Sequence, residues 1–337
     1  MIREAIAALV VGNHLTQEVA AQVMGEIMEG EASPAQIAAF ITALRMKGES
    51  ADEITGMART MRQKSLHVQT DGLLVDTCGT GGDGRGTINV STASAIVAAA
   101  AGVRIAKHGN RSASGGPGSA DVLEAIGVKI TLSPEGVQRC LEQTGFGFMF
   151  AQVFHPAMRH AAVPRREIGI RTIFNILGPL TNPAGARAQV LGVSDPMVGE
   201  KMAEALGRLG TERAMVVYGT DGVDELSISA PTRVWDLRDK MVRSYTVTPE
   251  EAGLPRANTD DIKGGTVERN AEILRAILQG QSGPAMDVVL LNAAAALMMG
   301  DKAATLREGV SIARRTITGG AAAEKLDTVA RVSQGLS

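Results

Sequence analysis

The sequence predicts an α/β protein: a small N-terminal α-helical domain followed by a large α/β domain with a mostly parallel central sheet. Three observations predict it. Residues 1–65 carry helix signals throughout. From residue 72 onward, short apolar runs alternate with longer helical stretches, the pattern of a mostly parallel sheet covered by helices. The chain has 337 residues, and a single hydrophobic core rarely grows past about 250–300, so a large domain with a smaller companion is expected.

In the first segment, "GEASPAQIAAFITALRMKG" opens with Ser33, Pro34 and Gln36, a cap, a proline at the first helical position and a capping-box partner. "ESADEITGMARTMRQK" repeats the signal with Ser50 and Glu53. The later runs "GLLVDTC", "VRIAKHG", "VKITL", "FGFMF", "AQVLGV", "RAMVVYG" and "RVWDLR" read as strands. The tail from Val267 reads as helix, with a break at "GQSGPA". Short helical pieces in 156–184 interrupt the alternation, so the chain is expected to return there to the small domain. The domain boundaries expected are 1–70, joined by part of 156–184, and 71–337.

Composition argues against several classes. Lys and Arg total 34 against 36 Asp and Glu, a net charge of −2, and aromatics are 3%. A general nucleic-acid binder would show a basic excess or stacking aromatics. The two cysteines, Cys78 and Cys140, have no CxxC spacing and imply no disulfide framework. No secretory pattern opens the chain, and the longest apolar run, "AMDVVLLNAAAALMMG", contains Asp287 and Asn292 and is short for a membrane span. A cytoplasmic location is expected.

The densest chemical signal is "DTCGTGGDGRGTINVSTAS", with five glycines in residues 79–86 between a strand and a helix. Helix N-termini leave N–H groups free for anions, and glycines let backbone approach a ligand. Thr87, Ser91 and Thr92 add hydroxyls. A tight turn with a capped helix is the plainer reading, and the pattern matches neither a Walker A loop nor GxGxxG. "VRIAKHGNRSASGGPGSADVLEAIG" repeats the arrangement with Lys107 and Arg111, so two cradles would face one polyanion, a diphosphate by its charge. "DGVDELSIS" places Asp224 and Glu225 beyond a strand end, where open α/β sheets hold ligands and where two carboxylates suit magnesium shared with phosphate. Arg159, His160, Arg165 and Arg166 form a basic cluster, either a solvated face or a fork for a substrate carboxylate.

Together "GTGGD", "NVSTAS", "KHGNR", "SGGPGSADVLEAIGV", "RREIGIRTIFNILGPLTNPAG", "DGVDELS" and "LNAAAAL" resemble, in order, the anthranilate phosphoribosyltransferase family of tryptophan biosynthesis. The resemblance covers nearly the whole chain and implies the nucleoside phosphorylase/phosphoribosyltransferase type of fold, usually as a homodimer through the helical domains. It implies transfer of phosphoribose from 5-phospho-α-D-ribose 1-diphosphate (PRPP) to anthranilate, with two magnesium ions. By resemblance, Gly79, Gly82, Asp83, Thr87, Asn89, Val90, Ser91 and Thr92 contact PRPP. So do Lys107, His108, Gly109, Asn110, Arg111, Ser112, Ala113, Ser114, Gly115 and Ser119. Ser91, Asp224 and Glu225 match metal ligands; Gly79, Asn110 and Arg165 match anthranilate contacts; Lys107 would stabilise the leaving group, and no general base is assigned. The Asp-Asp motif of the type I phosphoribosyltransferases is missing, since Asp260–Asp261 follows "PRANT". "FAQVFHPAM" departs from the family pattern at Gln152 and Phe154, which puts the mouth of the anthranilate path in doubt. A pyrimidine nucleoside phosphorylase-like enzyme and a non-catalytic nucleic-acid-binding relative are the alternatives.

Overall fold

The structure, a computed structural model, describes residues 1–112 and 116–337. It opens with four helices, α1 (Ile2–Val10), α2 (Gln17–Glu29), α3 (Pro34–Lys47) and α4 (Ala51–Gln63). Both expected capping boxes form: Ser33 with Gln36, and Ser50 with Glu53. Glu53 is fully buried, which costs free energy unless the charge is paired. Its carboxylate also accepts from the Leu15 N–H and from the Lys47 ammonium, each at 2.9 Å. Burial alone would raise its pKa; these donors hold it below the ordinary value.

The rest of the chain builds one seven-stranded sheet. Its strands are β1 (Val75–Gly79), β2 (Ile105–Gly109), β3 (Phe146–Phe150), β4 (Ala188–Gly192), β5 (Arg213–Gly219), β6 (Thr232–Arg238) and β7 (Met241–Val247), in the spatial order β3-β2-β1-β4-β5-β6-β7. The first five positions in that order pair in parallel, and β6 and β7 close the sheet antiparallel. The chain runs outward from β1 to β3, then restarts on the other side of β1 at β4. Open α/β sheets take ligands at such a reversal, beyond the carboxyl ends of the strands.

Helices cover both faces. On one face α5 (Val90–Ala100) packs against α13 (Pro284–Met299). Buried alanines on both, Ala95, Ala98 and Ala99 against Ala293–Ala296, suit a close approach. Around them lie α6 (Ser119–Ala125), α12 (Val267–Leu278), α14 (Leu306–Thr318) and α15 (Ala321–Gln334), while α7 (Pro134–Thr144) covers β3 from the other face, Val137 and Leu141 against Gly147. The short α8 (Ala151–Phe154), α9 (Arg159–Ile168) and α10 (Phe174–Leu177) follow β3, and α11 (Pro196–Arg208) links β4 to β5. A second apolar core runs unbroken from Ile2, Phe40 and Met57 of the bundle through Leu177 and Met202 to Leu191, Val216 and Trp235 of the sheet. The bundle is thus bonded to the sheet by shared core. α9 packs against α3 and α2, and Arg62 donates to Leu180 O at 2.6 Å and to Leu209 O at 2.9 Å. Among the described residues no helix is long and apolar enough to cross a membrane.

Two elements differ from the sequence reading. "VKITL", expected as a strand, is extended but unpaired. Val128, Ile130 and Leu132 turn inward in alternation, while the Lys129 N–H donates to the Ser333 hydroxyl at 3.0 Å instead of to a neighbouring strand. Strand β7 was not expected, because its residues are mostly exposed and form no apolar run.

Gly199 in α11 lies against the fully buried Trp235, where a Cβ would fall 2.2 Å from the ring. Gly199→Ala is expected to destabilise the fold by about 1–3 kcal/mol through overpacking. Urea unfolding followed by the emission of Trp235, the single tryptophan, would show a lower midpoint; an unchanged midpoint and spectrum would refute the contact.

Candidate active site

The glycine loop leaves β1 at Gly79 and enters α5 at Val90. Gly81, Gly82, Gly84 and Gly86 all have φ between +62° and +70°, a region that other residues adopt only with strain. Gly79 is there for a different reason. A Cβ on it would lie 2.3 Å from Asp224 Oδ2. Gly192, its register partner on β4, would put a Cβ 1.5 Å from Asp224 O. The turn after β5 therefore rests directly on the ends of β1 and β4, at the reversal of the sheet.

That contact assembles the expected metal set. Asp224 Oδ2 accepts from the Gly81 N–H at 2.7 Å. The Glu225 carboxylate lies near the backbone of Ser91, in the first turn of α5, which works against the rise in its pKa. The surrounding protein pushes the Asp224 carboxyl up to about 6, and nearby Asp83 adds to the rise. Glu225 is pushed well above the usual carboxylate range by the same burial and by Asp224. Crowded, desolvated carboxylates of this kind favour a cation. Among the described residues no group of three or more His, Cys, Asp or Glu could hold an ion. The protein would therefore supply only part of a coordination shell, which suits magnesium shared with phosphate oxygens.

The Asp224–Glu225 turn is held from behind. Asn292 of α13, 2% exposed, accepts from the Leu226 N–H at 3.0 Å and donates to Leu226 O at 2.9 Å. Asn292 and Arg171 were not singled out from the sequence as site residues. Arg171 lies against Gly82, where a Cβ would fall 1.6 Å from its guanidinium, and donates to Thr80 O at 3.3 Å. A polar residue inside the apolar run of α13 was the available signal for Asn292.

Several expected residues sit differently. Lys107 belongs to β2 rather than to the loop after it, and is 1% exposed. Its ammonium donates to Thr77 O at 2.5 Å and to Ser91 Oγ at 3.3 Å. Burial lowers its pKa, opposed by Asp76 and by Glu225. It lies beneath the carboxylates as a buried positive charge. His108, next along the strand, points to the opposite face. Its Nδ1 lies 3.2 Å from Gly178 O and its ring 5.0 Å from His155; burial first, then His155, lowers its pKa to about 3. Its side chain is thus not part of the phosphate cradle. Val90 and Thr92 are also turned inward, 1% and 0% exposed. Their N–H groups bond to Ile88 O and Asn89 O, and the Thr92 hydroxyl lies buried below the loop surface with no hydrogen-bond partner among the described residues. Phe154 is 0% exposed, among Val68, Leu74 and Met149, and lines no mouth.

In the second loop, Gly109 ends β2, and a Cβ there would meet Ser119 Oγ at 2.2 Å. Ser119 Oγ donates to Asn110 O at 3.5 Å. Arg111 forks onto Asp121 at 2.7 Å and Glu124 at 2.8 Å, so its charge is already paired. Asp121 also accepts from the Ser112 N–H at 3.4 Å. Ala113, Ser114 and Gly115 lie outside the described residues. In the first loop, Asp83 accepts from the Arg85 N–H at 3.0 Å, and Thr87 bridges to Lys263. Arg165 on α9 is half-buried, with its guanidinium 5.1 Å from the Phe174 ring. It makes no ion pair among the described residues, and no hydrogen bond joins it to Asn110 or Gly79. Burial lowers its pKa.

Two family models match the chain, a glycosyl transferase helical bundle domain over residues 3–65 and a glycosyl transferase a/b domain over residues 71–323. An anthranilate phosphoribosyltransferase of Chloroflexus aurantiacus is 58% identical over 336 residues, covering 99% of each chain. The chain belongs to the anthranilate phosphoribosyltransferase family. The crystal structure of the Thermus thermophilus member superposes with a TM-score of 0.93 at 47% identity, covering 98% of this chain and 99% of that one. The Saccharomyces cerevisiae member, solved in complex with PRPP and Mg, gives 0.91 at 25% identity, covering 99% and 98%.

Gly79→Ala is expected to displace the Asp224 carboxylate while leaving the sheet formed. A displacement near 1 Å commonly costs about a hundredfold in rate. Steady-state assays of the family's transfer should show that loss with an unchanged far-ultraviolet circular dichroism spectrum; wild-type turnover would mean that Asp224 is not held by this approach.

Proposed function

We propose that the chain transfers the 5-phosphoribosyl group from PRPP to the amine of anthranilate, giving N-(5-phospho-β-D-ribosyl)anthranilate and pyrophosphate. The observation that carries this reading is the meeting of the glycine loop with Asp224 and Glu225 at the sheet reversal, in a chain of this family. Identity along the whole chain to a named transferase favours it over nucleoside phosphorolysis or nucleic-acid binding.

The N–H groups of the glycine loop would receive the diphosphate. Ser91, Asp224 and Glu225 would hold magnesium, two ions per chain by the family resemblance, and the yeast member's Mg supports the metal. When bound, magnesium would offset the charge that builds on the departing pyrophosphate. Lys107 acts at one remove. Its buried ammonium beside Ser91 adds a fixed positive field under the same oxygens, with no reorganisation needed during reaction. As the C1–O bond of the ribose breaks, the sugar gains oxocarbenium character, and the neutral aromatic amine attacks the opposite face with inversion. No side chain is assigned as general base, so positioning is the main task.

Arg165, free of ion pairs among the described residues, would fork the anthranilate carboxylate. The homodimer would form through the helical bundle, where Val10, Val11 and Met46 are 70–84% exposed. A cytoplasmic location suits the soluble substrates.

Loss of anthranilate fluorescence on mixing the protein with PRPP and magnesium tests the reaction directly. Emission should fall only when all components are present, and EDTA should stop it. A folded protein that leaves emission unchanged at ample concentration would refute the acceptor. Arg165→Ala should raise the anthranilate KM about tenfold or more, as expected for a lost charge-assisted fork. The PRPP KM should stay near that of the parent. Equal anthranilate KM values would remove Arg165 from the role.

A further inference from the structure

We propose that Asn270 is a positioning residue that holds the two phosphate loops in one register. Asn270 lies on α12, on the same face as Ala271, Leu274, Ile277 and Leu278, and is 2% exposed. An amide on the apolar face of a helix must be bonded to be tolerated. Its Oδ1 accepts from the Gly265 N–H at 2.7 Å. Its Nδ2 donates to Asn89 Oδ1 at 2.8 Å. Asn89, at the start of α5, in turn donates from Nδ2 to Pro117 O at 2.9 Å.

This chain of bonds has one direction. The Gly265 N–H can only donate and Pro117 O can only accept. Both amides are therefore fixed in orientation by backbone groups at the two ends, and neither can flip without losing bonds at both its contacts. The connection joins three segments distant in sequence: the 262–270 stretch, the end of the first loop and the exit of the second. The same stretch is laced to the first loop by backbone. Ile88 N–H donates to Ile262 O at 3.0 Å, and Gly264 N–H to Gly86 O at 2.8 Å. The approach is tight: a Cβ on Gly264 would meet Asn270 Oδ1 at 2.5 Å and Thr87 O at 3.0 Å. Behind it, α12 packs on α6, whose first residue is Ser119. Asn270 itself need touch no substrate. It sets the spacing between cradles that must grip one diphosphate from two sides.

The inference rests on the PRPP reading and is tested with the full chain. Asn270→Leu keeps the volume and adds no charge, but removes both bonds. The PRPP KM should rise about tenfold, equivalent to about 1.4 kcal/mol. The anthranilate KM and kcat should stay within about twofold, the split expected of a residue that acts on one substrate's site. The urea midpoint distinguishes this from general damage. If Asn270→Leu does not fold, Asn270→Ala takes its place.

A double-mutant cycle supplies the second readout. Asn89→Ala should weaken PRPP more in the parent than in the Asn270→Leu background, the difference being the share that acts through the connection and not through any contact Asn89 itself makes; residues in one network are non-additive. An unchanged PRPP KM, strict additivity, or equal loss of both substrates with a fallen midpoint would each overturn the proposal. Calorimetric binding of inorganic pyrophosphate separates this outcome from a failure of the function. A parent that transfers nothing refutes the transferase reading. The register claim would then stand or fall on whether Asn270→Leu weakens pyrophosphate.

Discussion

The site depends on one steric constraint: the turn after β5 must lie flat across the ends of β1 and β4. Gly79 and Gly192 sit side by side in register, and the Asp224 backbone and carboxylate occupy the space that their side chains would fill. Everything else follows from that seating. The Gly81 N–H reaches Asp224, Glu225 reaches the first turn of α5, and Asn292 closes the turn from behind. A sheet with side chains at those two positions would hold the acidic turn away from the glycine loop.

Around that seat the charges are stacked in layers. Lys107 is deepest, against Thr77 and Ser91. Asp76, fully buried on the other face of β1, accepts from the His108 N–H and from Asn182, and burial raises its pKa to about 6. Glu225 and Asp224 lie above, with Asp83 near Asp224. A low-dielectric site makes each of these charges felt more strongly than in water. The arrangement leaves an excess of carboxylate at the surface of the layer over a single buried ammonium, a charge balance that would suit a divalent cation arriving with a phosphorylated substrate.

Much of this was legible in the sequence where local chemistry decides structure. The capping boxes at Ser33 and Ser50, the strand-to-helix glycine loop and the acidic turn beyond a strand end are short-range signals, and they formed as read. What depended on tertiary direction was less legible. Lys107 and His108 are adjacent, and only the register of β2 decides that one faces Ser91 and the other Gly178. Val90 and Thr92 lie in a helix buried on nearly all sides, so neighbours of Ser91 point into core. "VKITL" has the alternation of a strand, yet its partner is the hydroxyl of a C-terminal helix residue. Asn292 shows in sequence only as a polar residue inside an apolar run, and Asn270 not until the apolar face of α12 around it is drawn.

The bond from Gly81 to Asp224 spans 143 residues, and that from Asn89 to Asn270 spans 181. Contacts between such distant parts of a chain carry a large loop-closure entropy and tend to form late in folding. The cradle therefore cannot be assembled by the first half of the polypeptide as it leaves the ribosome. Until the stretch containing Asn270 has emerged and docked, a nascent chain holds the glycine loop and its acidic turn without the brace. Partly folded or truncated chains would carry no competent site with which to hydrolyse or sequester an activated sugar. Competence then waits on chain that lies beyond residue 224 for the acidic turn and beyond residue 270 for the brace.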